Sequence, residues 1–221
     1  MVSAPMSFQM ALDEILFRQI EHKLESAEHR KPLLRFYFSS EPWVTLGYFS
    51  KLTDTPFAMP ACRRLTGGGR VLHGNDFIFS LIAHKSDDVS FGSVQESYLK
   101  IHEAVKAAFE TMGYNPQFHS LRATHRVAPT AECFINPIES DLKLAGKKVA
   151  GGAQKRSSGV LLHHESIQVP EGVSIKQLYH ALQKSFERRF GIAFENASWD
   201  PGILSRAKEL SANEYVPGKV K

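Results

Sequence analysis

Three stretches carry residue types able to do chemistry. "RRLTGGGRVLHGND" (63–76) sets three consecutive glycines between two arginines and a histidine. Glycine admits positive φ and lets a ligand reach the main chain. Several N–H groups in such a bend can cradle a phosphate or carbonyl oxygen, and Arg63 or Arg64 would add charge. The same run could be a plain hairpin or bulge, and the pattern alone weighs the two readings equally. No Gly-Lys-Ser/Thr follows, so it is not a Walker loop. "GKKVAGGAQKR" (146–156) holds two lysines ahead of Val149. On a strand they point to opposite faces. The one facing a cleft could hold a developing oxyanion or a phosphate, though an exposed basic hairpin is the commoner fate of such a run. "ECFINP" (132–137) places Cys133 in a loop. A thiolate stabilised by nearby cations is a nucleophile, whereas a lone cysteine is usually buried and inert. Cys62, in an apolar strand context, takes the inert reading. His73 follows the glycines. His163 and His164 are adjacent on a strand and face opposite ways, and no carboxylate stands at useful spacing, so no metal site is expected.

The elements that must position these groups are legible from periodicity. Phe8, Leu12, Ile15, Leu16 and Ile20 step at helical spacing, predicting a helix over 7–28. "LLRFYFSS" and "WVTLGYF", split by Pro42, read as strands. Pro56 and Pro60 mark a loop, "CRRLT" is a short strand ending at the glycines, and "DFIFSLIAHK" is a long apolar strand. A helix follows from Val94, with Ser93 and Glu96 as a reciprocal capping box and Gly113 as its stop. Residues 115–132 are polar and read as a loop. "SDLKLAGKKVAGGAQKR" forms two strand pieces around Ala145-Gly146, and "GVLLHHESIQV" another. Ser174 and Gln177 cap a helix with Leu178, Leu182, Phe186 and Phe190 on its apolar side, and a last helical piece covers 203–210. Strands cluster instead of alternating with helices, which predicts an α+β fold with a mixed, largely antiparallel sheet.

Composition narrows the function classes. The 221 residues are 43% hydrophobic and 23% charged, as in a soluble globular domain, and their length suits a single domain over 1–221. No apolar run is long enough to span a bilayer. The N-terminus lacks the basic and apolar regions of a signal peptide, so a cytoplasmic setting is expected. Two widely separated cysteines make neither a disulfide framework nor a zinc site. The net charge of +4 is spread along the chain; it suits a plain solvated surface or an anionic partner such as an acidic carrier protein or a phosphate ligand, does not separate the two, and does not argue for nucleic acid.

Taken together, these segments resemble the lipoate-protein ligase and octanoyltransferase family. "RRLTGGGRVLH" resembles its arginine–glycine signature, "GKKVAGGAQKR" its lysine signature, and "GVLLHHESI" the strand after it. "SFQMALDEILFR" resembles the opening helix, "RFYFSSEPWVTLGYF" the following strand pair, and "ESYLKIHEAV" the helix after the glycine loop. The resemblance covers roughly residues 5–195 in the same order. It implies the α/β catalytic domain shared with biotin ligases, which lack this lysine block. It also implies attachment of octanoate or lipoate to one lysine of carrier domains, namely the glycine-cleavage H protein and the E2 subunits of 2-oxoacid dehydrogenases. By resemblance, Gly67, Gly68 and Gly69 wall an acyl tunnel, Arg64 lies at its entrance, and His73, Gly151 and Ala153 line it. Lys148 matches the family's essential lysine. An ammonium beside the acyl carbonyl would stabilise charge on its oxygen.

Two mechanisms divide the family. Ligases use ATP, with Mg, to make an acyl-adenylate. Octanoyltransferases need no cofactor and take octanoate from acyl carrier protein through a cysteine thioester. "CFINPIESDLKLAGKKVAG" resembles the cysteine-using group, which makes Cys133 the acyl-bearing nucleophile and Lys148 its electrostatic partner. Arg70 after the glycines, "HGND" in place of a His-Asp pair, and Glu165 where a glycine is common all depart from the ligase pattern. Asp141 resembles the aspartate of the ligase segment and pulls the other way. No separate accessory domain of the ligase kind is expected in this length, and neither a nucleic acid nor a membrane is expected as a partner. A non-catalytic acyl- or carrier-binding protein is the remaining alternative, and the retained lysine and glycine loop speak against it.

Overall fold

A computed structural model of the chain describes residues 2–22, 31–50, 59–119 and 140–215. Strand β1 (Val2–Ala4) leads into helix α1 (Met6–His22), then β2 (Leu33–Ser39), β3 (Trp43–Leu46), β4 (Ala61–Arg63), β5 (Val71–His73) and β6 (Asp76–His84). Helix α2 (Val94–Thr111) follows a short 3-10 turn. Then come β7 (Gln117–Phe118), β8 (Leu142–Leu144), β9 (Lys147–Ser157), β10 (Val160–Gln168), α3 (Ile175–Phe190) and α4 (Pro201–Glu214). Seven strands form the main sheet in the order β1-β2-β6-β10-β9-β8-β7, and β4-β3-β5 form a small second sheet. Among the described residues, only β1–β2 and β3–β4 pair in parallel; the other ladders are antiparallel, as the clustering of strands predicts.

The main sheet is buried on both faces, so β6 is apolar without alternation. Phe77, Phe79 and Leu81 of β6 pack with Leu161 of β10 under α2 and α3, against Ile101, Val105, Leu182 and Phe186. Ile82 of β6 and Val160 and Leu162 of β10 face Leu12, Ile15, Leu16 and Ile20 of α1. The same alternation sends His163 and Glu165 toward α2, where they meet His102, and His164 and Ser166 toward α1, where they meet Asp13 and Asp76. Ala145 (φ 48) with Gly146 (φ 78), and Ser158 (φ 50) with Gly159 (φ 78), supply left-handed pairs at the two tight turns joining β8, β9 and β10. Among the described residues no helix is long and apolar enough to cross a membrane.

Several sequence expectations are refined. The first helix ends at His22, and residues 23–28 lie outside the described residues. The capping box of α2 is half formed: Ser93 Oγ accepts the Glu96 N–H, while the Ser93 N–H donates to the Ser90 carbonyl of the preceding turn instead of to Glu96. In α3 both halves of the Ser174–Gln177 box are present. The last helix is longer than 203–210, because Asp200 caps it and Pro201 occupies its first turn. Within the stretch read as a loop, Gln117 and Phe118 pair with β8.

Candidate active site

The glycine loop is built on arginine. β4 ends at Arg63, whose Nη1 donates to the carbonyls of Gly47, Tyr48 and Ser50. Arg64 is buried. Its Nη2 donates to the Gly67 and Gly69 carbonyls at 2.6 and 2.7 Å, its Nη1 to the Thr45 carbonyl at 3.1 Å, and its Nε to Thr66 Oγ1 at 3.1 Å. Arg64, which the resemblance puts at the tunnel entrance, spends these donors on the loop's own carbonyls. It lies beneath the loop because that is where acceptors satisfy its fork. Gly68 takes φ +84, and a Cβ there would meet Arg64 Nη2 and Ala153. A Cβ on Gly67 would meet nothing within 4 Å among the described residues.

Lys148 reaches the same region through a break in strand register. Leu142 pairs with Ala150 but Lys143 pairs with Lys148, so Val149 is an extra residue on β9. Such a bulge turns side chains to the other face. Lys148 consequently shares a side with Gly151, whose Cβ position is filled by Lys148 Cε and Nζ at 2.2 and 2.4 Å. Lys147 stays exposed, while the Lys148 side chain is 3% exposed and forms an ion pair with Asp141 Oδ2 at 2.8 Å. Residue alternation alone could not pair Lys148 with Gly151; the bulge does.

Arg64, His73, Gly151 and Ala153 line one cavity of about 30 Å³, together with Met6 and Met10 of α1, Val71 and Ile78. That is room for about two waters. Gly67, Gly68 and Gly69 stand beside this lining and are not part of it. Behind it runs a polar layer absent from the sequence reading. Asp13 of α1, fully buried, accepts from Arg35 Nε at 2.9 Å, Ser80 Oγ at 2.7 Å, Tyr37 at 3.1 Å and His164 Nε2 at 3.0 Å. Burial pushes the Asp13 carboxyl up, but Arg35 and the His164 and Ser80 contacts outweigh it and hold it at about 2. Burial likewise keeps His164 neutral by lowering its pKa. Its Nδ1 then accepts from Thr66 Oγ1, which in turn accepts from Arg64. A chain of hydrogen bonds thus joins the glycine loop to α1. His73 bonds Thr45 Oγ1 through Nε2 at 2.8 Å and Asp76 Oδ2 through Nδ1 at 2.7 Å, and Ser166 also donates to that oxygen.

A second cluster lies on the other face of the sheet. His102 Nε2 and His163 Nε2 both donate to Glu165 Oε2, at 2.9 and 2.8 Å, and all three side chains are wholly buried. The expectation that no carboxylate accompanies the histidines is thus corrected. Glu165 is two residues from His163, and His102 arrives from α2, which no spacing rule could show. The three donor groups are close enough to hold a cation, yet each imidazole already spends its Nε2–H on the shared oxygen. His102 Nδ1 faces the Ser140 carbonyl, and His163 Nδ1 accepts from Gln154 Nε2. Both His102 nitrogens therefore face acceptors, which defines an imidazolium, and His163 is neutral. The acid–base balance agrees. Burial lowers both imidazoles, but the Glu165 charge outweighs it for His102 alone, whose pKa is raised. Burial raises Glu165, and the two histidines bring it to about 2.

Cys133 lies outside the described residues. Cys62 is buried, and burial pushes its thiol up to about 12, which leaves it unreactive. The family model of the lipoyl protein ligase A/B catalytic domain matches residues 5–193. The chain belongs to this family. Octanoyltransferase LipM of Moorella thermoacetica is 34% identical over 239 residues, spanning 95% of this chain and 84% of that protein. LipM of Geobacillus kaustophilus is 32% identical, over 97% of this chain and 82% of its own. Among solved structures, a lipoate-protein ligase A bound with ATP superimposes with a TM-score of 0.75 at 22% identity, covering 96% of this chain and 95% of the other. The last likeness speaks to the fold alone, while membership of the lipoyl protein ligase A/B family makes this chain an acyltransferase or ligase.

Proposed function

We propose that this chain, read as one catalytic domain over 1–221 and cytoplasmic in setting, is a cysteine-dependent octanoyltransferase. Its donor is octanoyl acyl carrier protein, and its acceptor is a lysine of a lipoyl carrier domain, such as the H protein or an E2 subunit. The observation that carries the reading is Lys148, swung by the β9 bulge over Gly151 at the cavity wall and anchored by Asp141. The relatedness to LipM enzymes supports it. The Cys133 thiol gives up its proton as its sulfur attacks the thioester carbonyl of the donor, the bond to the carrier sulfur breaks, and the proton from Cys133 passes to that leaving thiolate. The carrier lysine, as a neutral amine, then attacks the acyl-enzyme. The amide forms, the Cys133 sulfur leaves, and the amine's proton passes to it. Lys148 holds the oxyanion in both steps. The acyl chain needs more room than the cavity shows, and Met6 and Met10 are unbranched walls able to repack around it. Each methylene buried there contributes about 0.8 kcal/mol.

Intact-mass measurement without ATP is the test. One octanoyl group should appear on Cys133 and none on Cys62, and Cys133→Ala should abolish transfer. Full transfer by Cys133→Ala would refute the reading. The Asp141–Lys148 pair favours a second one, an ATP-dependent ligase forming an acyl-adenylate with Mg, because an aspartate at that place resembles the ligase segment. Transfer from free lipoate or octanoate only when ATP is supplied would establish it.

A further inference from the structure

We propose that His102 and Glu165, on the far face of the sheet, are positioning residues that hold Asp141 and thereby aim Lys148. The proposal rests on Lys148 standing beside the reacting carbonyl. The two faces of β9 meet at Gly151 and Gly152. A Cβ at 151 would strike Lys148, and one at 152 would strike Glu165 Oε2 and the His163 ring at 2.5 Å. Only the thickness of a glycine pair separates the charge cluster from the lysine. A direct link also exists: His102 Nδ1 donates to the Ser140 carbonyl, the residue before Asp141, whose Oδ2 holds Lys148 Nζ. Glu165 therefore orients His102, His102 fixes the main chain at 140, and that fixes the carboxylate under the lysine.

A net gain in stability over an apolar core is a weak account of the cluster. A buried ion pair is often no better than apolar side chains of the same volume, and among the described residues the buried Glu165 Oε1 has no hydrogen-bond partner, which is costly. The groups facing His102 are Glu165 and His163 from β10, Asp141 ahead of β8, and Tyr98 on its own helix.

His102→Gln and His102→Asn separate the two links, since glutamine reaches toward Glu165 and asparagine toward the Ser140 carbonyl. His102→Gln should lose about 10²-fold in kcat, the usual result of small misplacement of a reacting group, with KM unchanged. His102→Asn should restore most of it. In Glu165→Gln, His102 gives up its charge at lower pH, so the kcat–pH profile should move to lower pH. Melting temperatures show whether each variant is folded. A folded His102→Gln with native kcat overturns the proposal. If that variant does not fold, an unmoved kcat–pH profile in Glu165→Gln overturns it. Lys148→Met separates this from the function itself: full transfer there removes the role of Lys148, whereas loss there with native rates in His102→Gln removes only the positioning role.

Discussion

Replacing Gly47 with alanine should dislodge the glycine loop, although Gly47 lies outside the triplet. A Cβ at 47 would stand 1.8 Å from the Gly68 carbonyl oxygen, 2.8 Å from its carbon and 3.0 Å from the Gly67 oxygen. These are backbone atoms, so no side chain can swing away. The loop would have to retreat by more than an ångström, and Arg64 holds it through the Gly67 and Gly69 carbonyls. Overpacking of this kind costs about 1–3 kcal/mol, and a disturbed hydrogen bond to a charged group about 1.5–3 kcal/mol. A loss near 3 kcal/mol corresponds to a fall in melting temperature of roughly 6–12 °C for a chain of this size. Displacement of the loop should also cost about 10²-fold in transfer rate. Gly67→Ala is the matched control: its Cβ meets no atom of the described residues within 4 Å, so the melting temperature should hold, and any loss of activity would report a substrate lying against the loop. Thermal unfolding by circular dichroism and an octanoyl-transfer assay, run on both variants, decide the matter. A Gly47→Ala protein as stable and active as the native one would refute the packing argument.

Two further outcomes follow from the buried charges. Lys148→Met should abolish transfer and destabilise by about 3–5 kcal/mol, because the buried Asp141 loses its lysine; adding Asp141→Asn should return much of the stability in denaturant titrations and none of the activity. Asp13 and Glu165, both held at about 2, bind fewer protons folded than unfolded. Their stabilisation is therefore complete above their unfolded values near pH 4 and lost as pH falls toward 2. For Asp13 it is on the order of 2 kcal/mol, so acid titration of Asp13→Asn should show a shallower loss of stability over that window from a lower starting point, and a slope equal to the native one would count against the assignment.

Much of the architecture is legible because it is local. The alternation in β2, the two-sided apolar run of β6, the Ala145-Gly146 turn and the Ser174–Gln177 box each need only neighbouring residues. The motifs carried by the glycines and by Lys148 are legible for the same reason. What they do is not. The sequence shows two arginines beside three glycines, but only the fold shows that Arg64 spends its donors on the loop's own carbonyls. Strand alternation puts Lys148 and Gly151 on opposite faces, and the bulge at Val149 reverses that.

By itself, the sequence determined the α+β class, the order of the elements and the motifs that tie the chain to its family, because periodicity, turn chemistry and caps act over a few residues. The tertiary structure alone decided the partners. Asp13, from the first helix, gathers Arg35, Ser80 and His164. Asp141 meets Lys148 across a bulged hairpin, and Glu165 finds His102 on a helix packed over the sheet. A buried charge needs whatever opposite charge or donor the fold delivers to it. The delivering segment can lie anywhere along the chain, so no local pattern announces it.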